Sequence, residues 1–364
     1  MNPRAVSAIV LAAGEGTRMQ SERPKPLHLL CGRPMIMHVL EALTDLDVTR
    51  TVVVTGHGAE RVTKKVQDQS PDALNVVFVE QPVQRGTGDA VSVGLTAFPD
   101  DDVDDTSTVV VLPGDHPLLQ PSTIAGLVEA HEAAGNAATV LSARVEDPSG
   151  YGRILRTKDD RVVGIVEQRD ATLDELVIDE INTSIYCFRR DLLGPALRRL
   201  SPDNAQGEYY LTDIVGVLAA AGYPVGSVLL PDHLEAQGVN DRAQLALAEA
   251  ELRARTNRRW LLAGVTMIDP QQTYIDVTVE LARDVTLFPG TLLQGSTVVA
   301  AGCEIGPSTH LVDSVVAAGA VVEHSVAHEA EIGEGAHVGP YAALRPGTVI
   351  PAWAVTGAFY TGSS

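Results

Sequence analysis

The chain has 364 residues, a formal net charge of −20 and a hydrophobic fraction of 45%, which suffices for a buried core and exceeds one usual domain. The acidic balance argues against a nucleic-acid partner, which needs a basic face, and no apolar run is long enough to span a bilayer. Met1-Asn-Pro-Arg lacks the apolar segment of a signal peptide, and three widely spaced cysteines (Cys31, Cys187, Cys303) outline neither a disulfide framework nor a zinc cluster, so a cytoplasmic protein with reduced, mostly buried thiols is expected.

In chain order, residues 5–12 read as a strand that breaks into Gly14-Glu15-Gly16-Thr17-Arg18-Met19. Arg23-Pro24-Lys25-Pro26 and Gly32-Arg33-Pro34-Met35 follow. A strand ending in a glycine loop lets backbone N–H groups approach a phosphate, and the segment adds four cations: Arg18, Arg23, Lys25 and Arg33. Such a concentration in an acidic chain points to a polyanionic small molecule. The Walker pattern fails because no Gly precedes Lys25, and the dinucleotide fingerprint fails because Met19 stands where the third Gly belongs. Taken alone, Gly14 and Gly16 are equally a simple turn.

Further strands are expected over 51–55, 76–79, 108–112, 138–143 and 181–188, with helices over 35–44, 59–68, 87–96, 121–134 and 191–200. This alternation indicates βαβ units, a largely parallel sheet covered on both faces, and a site at the carboxyl ends of its strands. The acidic run Asp100-Asp101-Asp102-Val103-Asp104-Asp105 reads as a solvated loop, since it lacks the spacing of a calcium loop. Residues 241–262 read as one charged amphipathic helix connecting two domains. Beyond it Ile275, Leu281, Leu287, Leu293, Val299, Ile305 and Leu311 recur every sixth position, and after a phase shift so do Val326, Ile332, Val338, Leu344 and Ile350. Gly306, Gly333 and Gly339 directly follow three of these. A period of six marks a left-handed parallel β-helix, in which each hexapeptide forms one side of a triangular coil and its aliphatic residue points inward.

Leu11-Ala-Ala-Gly-Glu-Gly-Thr-Arg-Met19, Pro24-Lys25, Leu27-His28 and Gly32-Arg-Pro-Met35 closely resemble the signature of sugar-1-phosphate nucleotidylyltransferases. The resemblance is to the uridylyltransferase half of the bacterial bifunctional enzymes that form UDP-N-acetylglucosamine, and it extends through nearly the whole chain. It implies an α/β fold with a Rossmann-like nucleotidyltransferase domain over 1–240, a connecting helix over 241–262 and a short β-helix over 263–364. It implies a homotrimer, and a reaction in which a sugar-1-phosphate oxygen attacks the α-phosphorus of UTP and pyrophosphate leaves. Such a step needs charge neutralisation and in-line positioning more than covalent catalysis, so Mg²⁺ is expected as cofactor.

The resemblance assigns residues one by one. Leu11, Ala12, Ala13 and Gly14 contact substrate, and Arg18 and Lys25 act on the triphosphate as catalytic cations. Asp115, in Gly114-Asp115 after a strand, suits a hard metal ion and matches a metal ligand of the family; the lesser alternative is a helix cap near Pro117. Asn240 in Gly238-Val239-Asn240 matches the second ligand and a substrate contact, although Asn240-Asp241 alone is an ordinary N-cap. Gln81, Gly86 and Thr87 match the base site, where a Gln amide offers both a donor and an acceptor to uracil O4 and N3–H. Gly152, Glu167 and Asn182 match sugar contacts. The segment 204–213, with Tyr209, Tyr210 and Leu211, reads as mainly structural, and His116 as a packed neighbour.

The chain departs from the pattern in two places. The family's β-helix continues for about a hundred residues with an acetyltransferase site; here Ser363 falls near its functional Lys, so acetyl transfer is not expected and Arg345 is a relic or a surface residue. Pro113 replaces a Tyr or Ser near the sugar pocket. Alternatives are therefore a nucleotidylyltransferase for another sugar-1-phosphate or base, a hexapeptide acyltransferase, and a catalytically silent scaffold.

Overall fold

The structure is a computed structural model that describes residues 5–98 and 107–362. The acidic run at 100–105 and Ser363 lie outside the described residues. The chain forms two compact units: residues up to His28 with Pro34–Gln244, and Leu29–Arg33 with residues from Leu245 onward.

The first unit is built on strands β1 (Val6–Ala12), β2 (Val48–Thr55), β3 (Val76–Glu80), β4 (Thr108–Pro113), β5 (Ala138–Arg144), β6 (Arg153–Arg156), β7 (Val162–Val166), β8 (Glu180–Arg189) and β9 (Val225–Leu229). They are ordered β9-β5-β8-β4-β1-β2-β3, with β6 joining β8 to β7 at the side. Neighbours on the main path are parallel except at β8, which runs antiparallel to β4 and β5. Alternation along each strand feeds two cores. Ala8, Val10, Val53, Val110 and Leu112 enter one, while Ile9, Val52, Val54, Val109 and Val111 enter the other.

Helices Met35–Glu41, Ala59–Gln69, Thr87–Leu95, Pro121–Ala134 and Arg190–Leu197 stand at the expected places. The hairpin β6–β7, strand β9 and helix Asp213–Ala220 were not anticipated from the sequence, because runs of four to eight residues carry too little periodicity to separate from loops. Helix Pro121–Ala134 has no local side-chain cap at Gln120. Glu235, distant in sequence and buried, instead accepts from the Gln120 backbone N–H at 3.3 Å and side-chain amide at 2.9 Å, stabilising the unpaired donors and the positive end of the helix.

In the second unit, short strands stack into three five-stranded parallel sheets, the left-handed β-helix that the period of six predicts. Early ladder partners lie eighteen residues apart, as Glu280 with Val298 and Leu292 with His310, so each coil is three hexapeptides. Ile275, Leu281, Leu287, Leu293, Val299, Ile305 and Leu311 all point inward and are buried, as are Ile332, Val338, Leu344 and Ile350. Val326 does not: it is 40% exposed, and Ala327 takes the inward place at 0%. In this stretch the coil contracts to sixteen residues, as His310 with Val326 and Val315 with Glu331. Asp313, His324 and Glu329 adopt positive φ at the shortened sides, turning the corner one residue early. Gly339 has φ +114°, and a Cβ there would lie 2.2 Å from the Glu323 carbonyl oxygen; a Cβ on Gly333 would lie 2.4 Å from the Ala352 nitrogen. Stacked coils thus leave room only for hydrogen at these corners.

Helix Arg242–Leu262 crosses the boundary between the units and buries only Ala248, Thr256 and Asn257. Cys31, Cys187 and Cys303 are all unpaired and buried, and burial pushes the Cys187 thiol far up. Arg345 is exposed. No helix among the described residues is long and apolar enough to cross a membrane.

Candidate active site

The carboxyl ends of β1, β3 and β4 open into a cleft of about 490 Å³. Leu11, Ala13, Gly14 and Arg18 line it from the first loop, and Gln81, Gly86 and Thr87 from the segment after β3. Asp115 enters after β4, Glu167 after β7, Asn182 from β8, and Asn240 from the segment before the long helix. Three predicted residues do not line the wall. Ala12 packs into the core beneath. Gly152 stands behind, its carbonyl accepting from the Asn182 N–H at 2.9 Å. Lys25 is the third, and its ammonium meets Asp115 and Asn240, which do line the cleft.

The glycine loop has a division of labour that spacing alone does not show. Gly14 has open space around its Cα, as a backbone meant to meet a ligand requires. Gly16 has φ +65°, and a Cβ there would sit 2.7 Å from Lys25 Cβ. Hydrogen at Gly16 therefore clears the path of the lysine stem. Of the four cations, Arg18 and Lys25 reach the site, whereas Arg23 is exposed and does not line the cleft, and Arg33 belongs to the second unit.

Asp115, Asn240, Lys25 and Arg18 form one cluster. Lys25 Nζ donates to Asp115 Oδ2, in an ion pair, and to Asn240 Oδ1 at 2.9 Å. Arg18 donates to the same Asn240 oxygen at 3.0 Å. The backbone ties the two segments together, with Val239 N–H on the Asp115 carbonyl at 2.9 Å. Gly114 is a glycine because a Cβ would come within 2.9 Å of the Leu11 carbonyl oxygen, so its smallness serves strand packing. The capping alternatives resolve cleanly. Asp241 Oδ1 accepts from Gln244 N–H at 2.8 Å and caps the long helix, which leaves the Asn240 side chain for the cluster.

His116 is more than a packed neighbour. Its Nδ1 lies 2.8 Å from Asp115 Oδ1, so the carboxylate is held on one oxygen by imidazole and on the other by ammonium. Burial pushes the Asp115 carboxyl up, but the His116 and Lys25 contacts outweigh it and hold the group well below the usual carboxylate range. Asp115 is ionised throughout the neutral range.

Glu167 and Asn182, which also line the cleft, stand beside Gly152, where a Cβ would be 3.5 Å from Glu167 Oε1. Thr212 Oγ1 donates to Glu167 at 3.1 Å. Burial, with help from Asp213 and Asp170, raises the Glu167 carboxyl against that bond. Asn182 Nδ2 donates to the Tyr186 hydroxyl at 2.8 Å, and its Oδ1 accepts from Ser184 N–H at 3.0 Å. Ser184 has φ +63° where the β8 register breaks, an irregularity that turns the Asn182 side chain.

The sequence reading missed Gln84, Glu208, Thr212 and Tyr186, which also line the cleft. Glu208 and Thr212 belong to the segment read as structural. Its packing role is real, since Tyr210 and Leu211 are buried and Tyr209 exchanges backbone bonds with Arg85 and Gly88 at 2.8 Å. Two polar residues flanking those apolar ones were the available signal.

Residues 8–215 match the family model described as MobA-like NTP transferase domain. The bifunctional protein GlmU of Thermobifida fusca (strain YX) is 49% identical over 330 residues, covering 91% of this chain and 68% of that protein. The bifunctional protein GlmU of Kineococcus radiotolerans is 49% identical over 357 residues, covering 98% and 71%. That of Heliobacterium modesticaldum is 44% identical over 344 residues, covering 94% and 73%. At 44–49% identity over at least 91% of its length, the chain belongs to the GlmU family.

Proposed function

We propose that this chain transfers UMP from UTP to N-acetylglucosamine-1-phosphate, giving UDP-N-acetylglucosamine and pyrophosphate. The observation that carries this reading is the convergence of Arg18, Lys25, Asp115 and Asn240 at one point of a cleft whose other walls are amide- and hydroxyl-bearing. Lys25 and Arg18 bind the triphosphate and stabilise charge that develops at the α-phosphorus. Glu167 and Asn182 orient the sugar, and the Gln81–Thr87 segment holds the base.

The oxygens of Asp115 and Asn240 fit a divalent cation, and Mg²⁺ is the one proposed. They are hard donors, and both already converge on the Lys25 ammonium, so a cation is at home between them. The chemistry such an ion supplies is neutralisation of the phosphate oxygens.

The test is pyrophosphate release by the purified chain with UTP, Mg²⁺ and a panel of sugar-1-phosphates. Release confined to N-acetylglucosamine-1-phosphate is expected. Release with another sugar alone would move the substrate and make Pro113, which lines the cleft, the first residue to vary; silence with every sugar would favour the scaffold reading. The chain is further proposed to form a homotrimer through its β-helix, because stacked coils present long flat side faces. Light scattering should give the mass of three chains, and a monomer would refute it.

A further inference from the structure

The base end of the cleft holds a detail that the residue type does not disclose. A glutamine amide can serve as donor or acceptor, and which it offers depends on how it is turned. Gln81 is 4% exposed, at the end of β3, with its backbone N–H fixed to the Thr55 carbonyl at 2.8 Å. Its Nε2 donates to Asp89 Oδ2 at 2.7 Å and to the Gly86 carbonyl at 3.3 Å. A carboxylate and a backbone carbonyl only accept, so both demand N–H groups and the amide has one allowed orientation. The two N–H groups are spent inside the protein, and Oε1 alone remains for a ligand.

We propose that Asp89 is a positioning residue which locks Gln81 with its oxygen toward the base, so that the site selects uracil over cytosine. Uracil presents N3–H to that oxygen. Cytosine presents an unprotonated N3, and two acceptors then face each other. Turning the amide over would relieve that clash, but it would set Oε1 against Asp89 and the Gly86 carbonyl. Asp89 raises the cost of that turn. It is itself held firmly, in the first turn of helix Thr87–Leu95, with Gly88 N–H on the Tyr209 carbonyl at 2.8 Å and Ala90 N–H on Gly86 at 3.1 Å.

This inference rests on the uridylyl-transfer reading above and narrows it to a single hydrogen-bond polarity. Thymine and uracil share N3–H, so the lock discriminates between ring polarities and not between methylated and unmethylated rings.

The experiment compares kcat/KM for UTP and for CTP in the full chain and in Asp89→Asn and Asp89→Ser, with one sugar-1-phosphate and saturating Mg²⁺. An asparagine at 89 can offer an N–H to a turned Gln81, so the UTP:CTP preference should fall by about tenfold or more, as expected when a site loses a fixed hydrogen-bond polarity. The gain should lie mainly in CTP. The ratio does not depend on the fraction of active enzyme, so a variant of lowered stability still reports. If a variant turns over too slowly, calorimetric Kd values for the two nucleotides give the same ratio. An unchanged ratio in both variants, alongside a wild type active with UTP, overturns the role of Asp89 and leaves the function intact. A wild type inactive with both nucleotides overturns the function itself and this inference with it.

Discussion

Lys25→Ala is expected to lower kcat/KM for pyrophosphate release by about 30- to 1,000-fold, equivalent to about 2–4 kcal/mol of transition-state stabilisation. The argument rests on where the ammonium sits. It is partly buried, bonded to Asp115 and to Asn240 at 2.9 Å, and its stem is threaded past Gly16. A cation held so costs no reorganisation when charge builds on the phosphate. Arg18 shares the Asn240 oxygen at 3.0 Å but approaches from the exposed side. The loss should fall mainly on kcat, measured by initial rates across UTP concentrations. Equal turnover of variant and wild type would refute the role. The same substitution frees two oxygens, so divalent-metal affinity in the absence of nucleotide, measured by calorimetry, should rise.

Asp115→Asn is expected to raise the metal concentration for half-maximal activity by about tenfold or more, the scale on which a lost charged contact weakens a metal site. Asparagine preserves the shape of the side chain and removes its charge, so the comparison isolates electrostatics from packing. Asp115 is held ionised by His116 and Lys25, and the wild-type side chain therefore carries its full charge at neutral pH. With a neutral amide, His116 and Lys25 lose the partner that orients them, and kcat should fall as well. An unchanged metal titration would remove Asp115 from the site. The two variants move metal affinity in opposite directions, a contrast that general damage to the fold would not produce.

Much of the fold was legible because its signals are local. Strand β1 alternates two core faces within seven residues, and the hexapeptide period shows directly which aliphatics point inward. The period misled only at Val326, where Asp313, His324 and Glu329 shorten three sides of the coil. None of those three is a glycine, so nothing in the composition announces an early corner. Likewise Glu235 caps a helix more than a hundred residues away, a contact that no sequence window contains.

The site shows the same boundary more sharply. Sequence by itself determined the chemical inventory: a glycine loop, two useful cations among four, one carboxylate at a strand end, an Asn before a long helix, and amide and hydroxyl groups in defined segments. Only the tertiary structure decided which of their donors and acceptors remain to be used. Gln81 has given both N–H groups to Asp89 and Gly86. Asn182 has committed part of its amide to Tyr186 and Ser184, while Asn240 was released because Asp241 took the cap. His116 found a hydrogen-bond partner in Asp115. A side chain's hydrogen-bonding capacity is fixed by its residue type, but its spending is settled among partners far apart in the chain, and folding alone brings those partners together.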